Sequence, residues 1–293
     1  MREADGGSAA VVDFAPAKIN LYLHIAGRRS DGYHLIDSLM VFADIGDEVA
    51  VGPGAGLSLA IDGPFAAGLP TDSNNLVFRA AEILAAALGV GADAAIRLTK
   101  RLPVASGIGG GSADAAATLR GLIRLWGKSP GEAALAQLGL GLGADIPVCL
   151  RGQPTLVSGI GEILEPAPAL PAVWLALVNP GVAVPTRDVF AGRKGDFTAT
   201  MPLRTAPADA KVLASELRRR GNDLADPARR IAPAIGDVLA ALEAAPGCLL
   251  ARMSGSGATC FGLFAEPGPA ESAARSIGAA HPNWWTAAAK MRS

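Results

Sequence analysis

The residues with the most specific chemistry form one run, Pro103-Val104-Ala105-Ser106-Gly107-Ile108-Gly109-Gly110-Gly111-Ser112-Ala113. Glycine adopts positive φ without strain and, lacking a Cβ, lets backbone N–H groups come close to a ligand. The spacing downstream predicts an Ala-rich helix over Ser112–Trp126, so the run empties into a helix N-terminus with free N–H donors and partial positive charge. Together these make an anion cradle suited to phosphates. Ser112 is placed to cap that helix, to touch a phosphate or to reach a Mg2+. The plainer alternative is a flexible connector, an unusual feature between a strand and a long helix.

Two other phosphate-binding patterns fail here. The dinucleotide spacing G-x-G-x-x-G, read from Gly107, requires glycine where Ser112 stands. Gly127-Lys128-Ser129 lacks the upstream glycine of the P-loop, since Leu122 occupies that position. It reads as a helix stop followed by a loop.

Other candidates are scattered along the chain. Lys18, one of six lysines, stands beside Pro16 where a strand is expected to begin, and Asn20 shares its face one strand period on. A surface lysine and a turn asparagine are the plain alternatives. Asp145 sits in Gly141-Leu142-Gly143-Ala144-Asp145-Ile146-Pro147, a small-residue turn that would hold a carboxylate at a cleft edge, or simply an ordinary turn aspartate. Tyr33-His34 follows Gly32 in a loop, a pairing suited to stacking on and hydrogen-bonding a pyrimidine base, with a structural histidine as the alternative.

These residues need elements to position them. Ile19, Leu21, Leu23 and Ile25 alternate with Asn20, Tyr22 and His24, which predicts a half-buried strand. Strands are also expected at 48–51, 57–61, 95–99, 146–150, 173–178 and 259–264. Helices are expected at 75–88, 112–126, 130–138, 207–219, 236–245 and 270–277. Prolines 166, 168 and 171 mark a boundary between two lobes, and residues 1–10 read as a loose tail. Strands and helices occur in both halves, which predicts an α/β or α+β architecture.

Composition narrows the class. The chain has 293 residues, half of them hydrophobic, and a formal net charge of −1. That balance gives no basic footprint for nucleic acid or a membrane surface. Apolar stretches near 80–95 and 170–185 are broken by Glu82, Gly89, Asn179 and Pro180, so neither reads as a membrane span. The N-terminal residues lack the apolar core of a secretory signal. Cys149, Cys248 and Cys260 are odd in number and lack metal-binding spacing, which fits a reducing compartment and a cytoplasmic protein.

The 103–113 run resembles the Pro-x-x-x-Gly-Leu-Gly-Ser-Ser motif of the GHMP kinases, with Ile108 in place of leucine and Ala113 in place of the second serine. Pro16-Ala17-Lys18-Ile19-Asn20-Leu21 and Met253-Ser254-Gly255-Ser256-Gly257-Ala258-Thr259 resemble that family's other two motifs, in order. Arg29-Ser30-Asp31-Gly32-Tyr33-His34, Gly143–Pro147 and Asn222-Asp223-Leu224 narrow the likeness to a member acting on a cytidine diphosphate derivative. The resemblance spans nearly all of the chain after residue 14. It implies an α+β, two-lobe fold, with an N-terminal ATP-binding domain over 11–165, a C-terminal domain over 166–293 and the active site in the cleft between them. It implies transfer of the ATP γ-phosphoryl group to an alcohol, with Mg2+. Lys18 and Asp145 become the catalytic pair, residues 103–113 the ATP site, and Asn20, Tyr33 and His34 the substrate contacts. Another GHMP kinase with a different alcohol, or a nucleotide-binding sensor without activity, are the competing readings. The sequence names no metal ligands and no oligomeric state.

Overall fold

The computed structural model describes residues 10–292, so of the tail expected over 1–10 all but Ala10 lies outside the described residues. The first elements are β1 (Val11–Arg28), β2 (His34–Gly52), β3 (Leu57–Asp62), α1 (Leu76–Leu88), β4 (Ala94–Thr99) and α2 (Gly110–Trp126). Next come α3 (Glu132–Leu142), α4 (Ile146–Arg151), β5 (Thr155–Gly159), β6 (Ile163–Pro166), β7 (Trp174–Asn179) and α5 (Thr186–Ala191). The chain ends with α6 (Ala210–Arg218), α7 (Ala225–Ile231), α8 (Ala234–Glu243), β8 (Leu250–Met253), β9 (Cys260–Phe264), α9 (Pro267–Ala280) and β10 (Trp285–Arg292). Among the described residues, no helix is long and apolar enough to cross a membrane.

Contacts divide the chain into two compact units, and each is built from separated segments. The first contains residues 10–15, Gly46–Leu102 and Gly111–Leu150. Here β4 lies between β3, its parallel partner, and the second half of β2, its antiparallel partner. The Asn75 side chain caps α1 by accepting from the Val77 N–H, and Gly89 closes it in the left-handed conformation. Helix α2 meets β2 at Gly121. A Cβ on Gly121 would sit 3.1 Å from a Val51 methyl, so glycine allows the close approach.

The second unit contains Pro16–Ile45, Pro103–Gly110 and residues 151–292. Its antiparallel strands run β2, β10, β7, β9, β8, with β5 also paired to β2 and β6 to β5. Helices α8 and α9 cover this sheet with Ile235, Val238, Leu242, Ala273 and Ile277, in one core with Leu23 and Ile25 of β1.

Three expectations are corrected, and one strand is added. Residues 146–150 form helix α4 and not a strand: a short apolar run lacks a decisive period, and Pro147 sits in the first turn, where no N–H is needed. Strand β1 is buried on both faces, so Asn20, Tyr22 and His24 are interior and Lys18 lies mid-strand. Helix α2 begins at Gly110, so Ser112 is its third residue and not its cap. Strand β10 gave no signal, because its Ala287-Ala288-Ala289 core has no β preference.

Candidate active site

Residues 16–20 of β1 lie against the glycine loop within the second unit. The Lys18 N–H donates to the Ile108 carbonyl at 2.9 Å, pinning the loop to the strand. Lys18 itself is buried, only 4% exposed, and its Nζ donates to Asn20 Oδ1 at 2.8 Å. Asn20 Nδ2 donates to Ser38 Oγ at 2.8 Å, and Ser38 donates onward to the Tyr22 carbonyl at 2.6 Å. The shared face expected of Lys18 and Asn20 is therefore present, and Asn20 fixes where the ammonium points.

A second glycine loop, 254–258, closes on the first. Ser254 Oγ accepts from the Asn20 N–H at 3.1 Å and donates to the Gly107 carbonyl at 3.0 Å. Thr259 N–H donates to the Ser106 carbonyl at 3.0 Å. Gly107 has φ +76, and a Cβ there would fall 2.6 Å from the Ser254 carbonyl oxygen and 2.7 Å from that of Gly257. Asn222 Nδ2 supports the second loop from behind by donating to the Met253 and Gly255 carbonyls, each at 2.8 Å.

The cradle residues have different exposures. Pro103, Ser106, Ile108 and Ala113 are buried, and Ser106 Oγ donates to the Pro103 carbonyl at 2.7 Å. Val104, Ala105 and Gly111 are exposed, and Gly107, Gly109, Gly110 and Ser112 are half-buried. Gly109, at φ +65, faces Lys18 so closely that a Cβ would lie 3.0 Å from Lys18 Cε.

Tyr33 stands 61% exposed at the end of the turn after β1, held by a 2.8 Å bond from Arg29 N–H to its carbonyl. His34 packs on Phe190 of α5 with ring centroids 5.2 Å apart. Burial, then the positive charges of Arg28 and Arg193, hold its imidazole below the ordinary 6.5 and favour the neutral form. Asp145 belongs to the first unit, half-buried at the entrance to α4, where its carbonyl accepts from the Cys149 N–H at 3.1 Å. Sequence reasoning gave no role to Ser38 or Phe190, which reach the site only through the fold. The hydroxyl of Ser254 was available in its motif and was not singled out.

Two family models match, GHMP kinases N terminal domain over 75–153 and GHMP kinases C terminal over 208–283. A 4-diphosphocytidyl-2-C-methyl-D-erythritol kinase from Paramagnetospirillum magneticum is 58% identical over 279 residues, covering 95% of this chain and 98% of the relative. The chain belongs to the GHMP kinase family. A crystal structure of 4-(cytidine 5'-diphospho)-2C-methyl-D-erythritol kinase superposes with TM-score 0.78 at 34% identity, covering 96% of this chain and 99% of that one. Homoserine kinase from Cytophaga hutchinsonii shares the fold, with TM-score 0.76 at 19% identity over all of this chain and 97% of its own. The α+β architecture of this chain is thus that of the family.

Proposed function

We infer that this chain is a small-molecule kinase that transfers the γ-phosphoryl group of ATP to the 2-hydroxyl of 4-diphosphocytidyl-2-C-methyl-D-erythritol, in the non-mevalonate route to isoprenoid precursors. Near-full-length identity of 58% to a relative of that name is the observation that carries the reading. The retained Lys18, Asp145 and glycine loop speak against a sensor without activity.

We propose these roles. The N–H groups of 103–113 and the start of α2 receive the ATP phosphates. Lys18, aimed by Asn20, neutralises charge as the γ-phosphoryl group moves. Asp145 orients the substrate hydroxyl and takes its proton as the new O–P bond forms and ADP leaves. Such a transfer is loose, so positioning and charge matter more than basicity. Tyr33 and His34 receive the cytosine, and the neutral imidazole of His34 can both donate and accept. We retain 11–165 and 166–293 as the family's two parts along the chain. The odd cysteine count supports a cytoplasmic setting.

Mg2+ is the expected companion of ATP. Among the described residues no three His, Cys, Asp or Glu side chains gather to hold a metal. An ion that keeps its waters would be held chiefly through phosphate oxygens, with the half-buried Ser112 hydroxyl as a candidate protein contact. Bound there, Mg2+ neutralises phosphate charge.

The deciding assay compares ADP release with and without the cytidyl substrate, and with methylerythritol phosphate lacking the cytidyl group. Strong stimulation by the full substrate alone is expected. Equal turnover of the truncated substrate would redirect the reading to another alcohol. In the same assay Tyr33→Ala should raise KM for the cytidyl substrate about ten- to a hundredfold and leave KM for ATP unchanged, because a stacked ring contributes about 1–3 kcal/mol.

A further inference from the structure

The roles above leave unused the most deeply buried charges of the first unit. Asp47, Lys100 and Asp114 are all buried. Lys100 Nζ donates to Asp47 Oδ2 at 2.5 Å and to Asp114 Oδ2 at 2.6 Å. Asp47 Oδ1 accepts from the backbone N–H groups of Arg101 at 2.6 Å and Leu102 at 2.8 Å. The Lys100 backbone is fixed as well: its N–H donates to the Asp62 carbonyl at 2.7 Å, and its carbonyl accepts from the Phe65 N–H at 3.2 Å.

The places of these residues along the chain matter. Residues 100–102 are the last before Pro103 opens the glycine loop, and Asp114 lies on α2, which leaves it. Lys100 therefore ties the entry of the loop to its exit, with Asp47 of β2 as the fixed third corner. Buried ionic groups seldom stabilise a fold more than well-packed apolar ones of the same volume would. Stability alone is therefore a poor account of this cluster. We propose that Lys100, gripped by Asp47 and Asp114, is a positioning residue for ATP: it clamps the two stems of the glycine loop at a set spacing, so that the loop's N–H groups are arranged before the nucleotide arrives. The proposal rests on reading 103–113 as the phosphate cradle.

Asp47 receives three hydrogen bonds, Asp114 receives one through Oδ2, and Asp114 Oδ1 has no partner among the described residues. What ties α2 to Lys100 is one acceptor oxygen at position 114, and an asparagine supplies such an oxygen as well as aspartate does.

The test uses Asp114→Leu and Asp114→Asn in the full chain. The leucine leaves the Lys100–Asp47 pair intact, keeps the branched shape and cuts the tie to α2; the asparagine still accepts from Lys100. Loss of preorganisation in Asp114→Leu should raise both KM and Kd for ATP about tenfold, while KM for the cytidyl substrate stays within about twofold and Asp114→Asn stays within about twofold on every measure. Asp114→Ala carries the same readout should the leucine variant fail to fold by circular dichroism. ATP affinity unchanged in a folded Asp114→Leu or Asp114→Ala protein overturns the clamp. So does an equal rise in both KM values, or an asparagine variant as impaired as leucine, since either marks a merely structural role. A parent protein without ATP affinity overturns the cradle reading and the clamp with it, whereas an unaffected variant beside a binding parent overturns the clamp alone.

Discussion

Single residues divide here by the charge they must carry. Asp145 is a candidate for transferring a proton, so Asp145→Asn should lower kcat by about 10²–10⁴ while ATP binding by calorimetry persists. Near-normal turnover in the folded variant would remove it from the chemistry. Asp37 is tied instead to the fold. Burial raises its carboxyl, but the His24 imidazole facing it at 3.8 Å, the Met201 N–H and the Tyr22 hydroxyl outweigh that and hold it below the ordinary 3.8. In acid the unfolded chain therefore binds a proton at this position before the folded one does. Its contribution is present above pH 3.8 and is lost as pH falls through the lower folded value. Asp37→Asn should accordingly flatten the acid limb of a denaturation-against-pH series below that point. An acid limb as steep as the parent's would show that other groups govern it.

Among the elements, the two glycine loops form one device. Gly107→Ala introduces a Cβ 2.6 Å from the Ser254 carbonyl oxygen at a backbone with φ +76, so backbone must move against backbone. A cost of about 1–3 kcal/mol in urea denaturation is expected, with weakened ATP binding, because one loop cannot shift without the other. An alanine variant with parental stability would mean that the loops are not packed as described. How far such elements could be foreseen depended on whether a local rule governs them. Helix α1 was legible because Asn75 and Gly89 mark its ends, and the cradle because its glycines precede a helix of small residues. The inner partners of β1 were not legible: Asn20 bonds Ser38 and Ser254, which are 18 and 234 positions away. A polar, alternating face normally meets water, and only tertiary contacts reveal that this one is covered. The same reason hid the clamp, since Lys100 and Asp47 are 53 positions apart and nothing at either position signals the other.

At the scale of the whole molecule, the chain leaves and re-enters each unit, so a cut in sequence is not a cut in structure. The C-terminal half lacks Leu23 and Ile25, which belong to its core, and Phe42 and Ala43, which pair with β10. Residues 166–293 expressed alone should therefore show poor amide dispersion by NMR and no cooperative thermal transition. Adding 16–45 as a separate peptide should restore part of both. A well-folded 166–293 fragment would show that β1 and β2 are dispensable to that unit.

The place of β10 also has a meaning in time. Met291 and Arg292 pair with Ala43 and Phe42 on one side, while Trp285–Lys290 pair with β7 on the other. The strand that joins β2 to β7 is thus made after both of its partners. At typical elongation rates the partners on β2 wait roughly 12–50 s for it, with β2 and β7 both presenting open edges of the kind that recruit foreign strands. A stop codon just before Trp285 would leave those edges open permanently. Residues 285–292 thus decide whether both edges of a newly made copy close or stay open to aggregation.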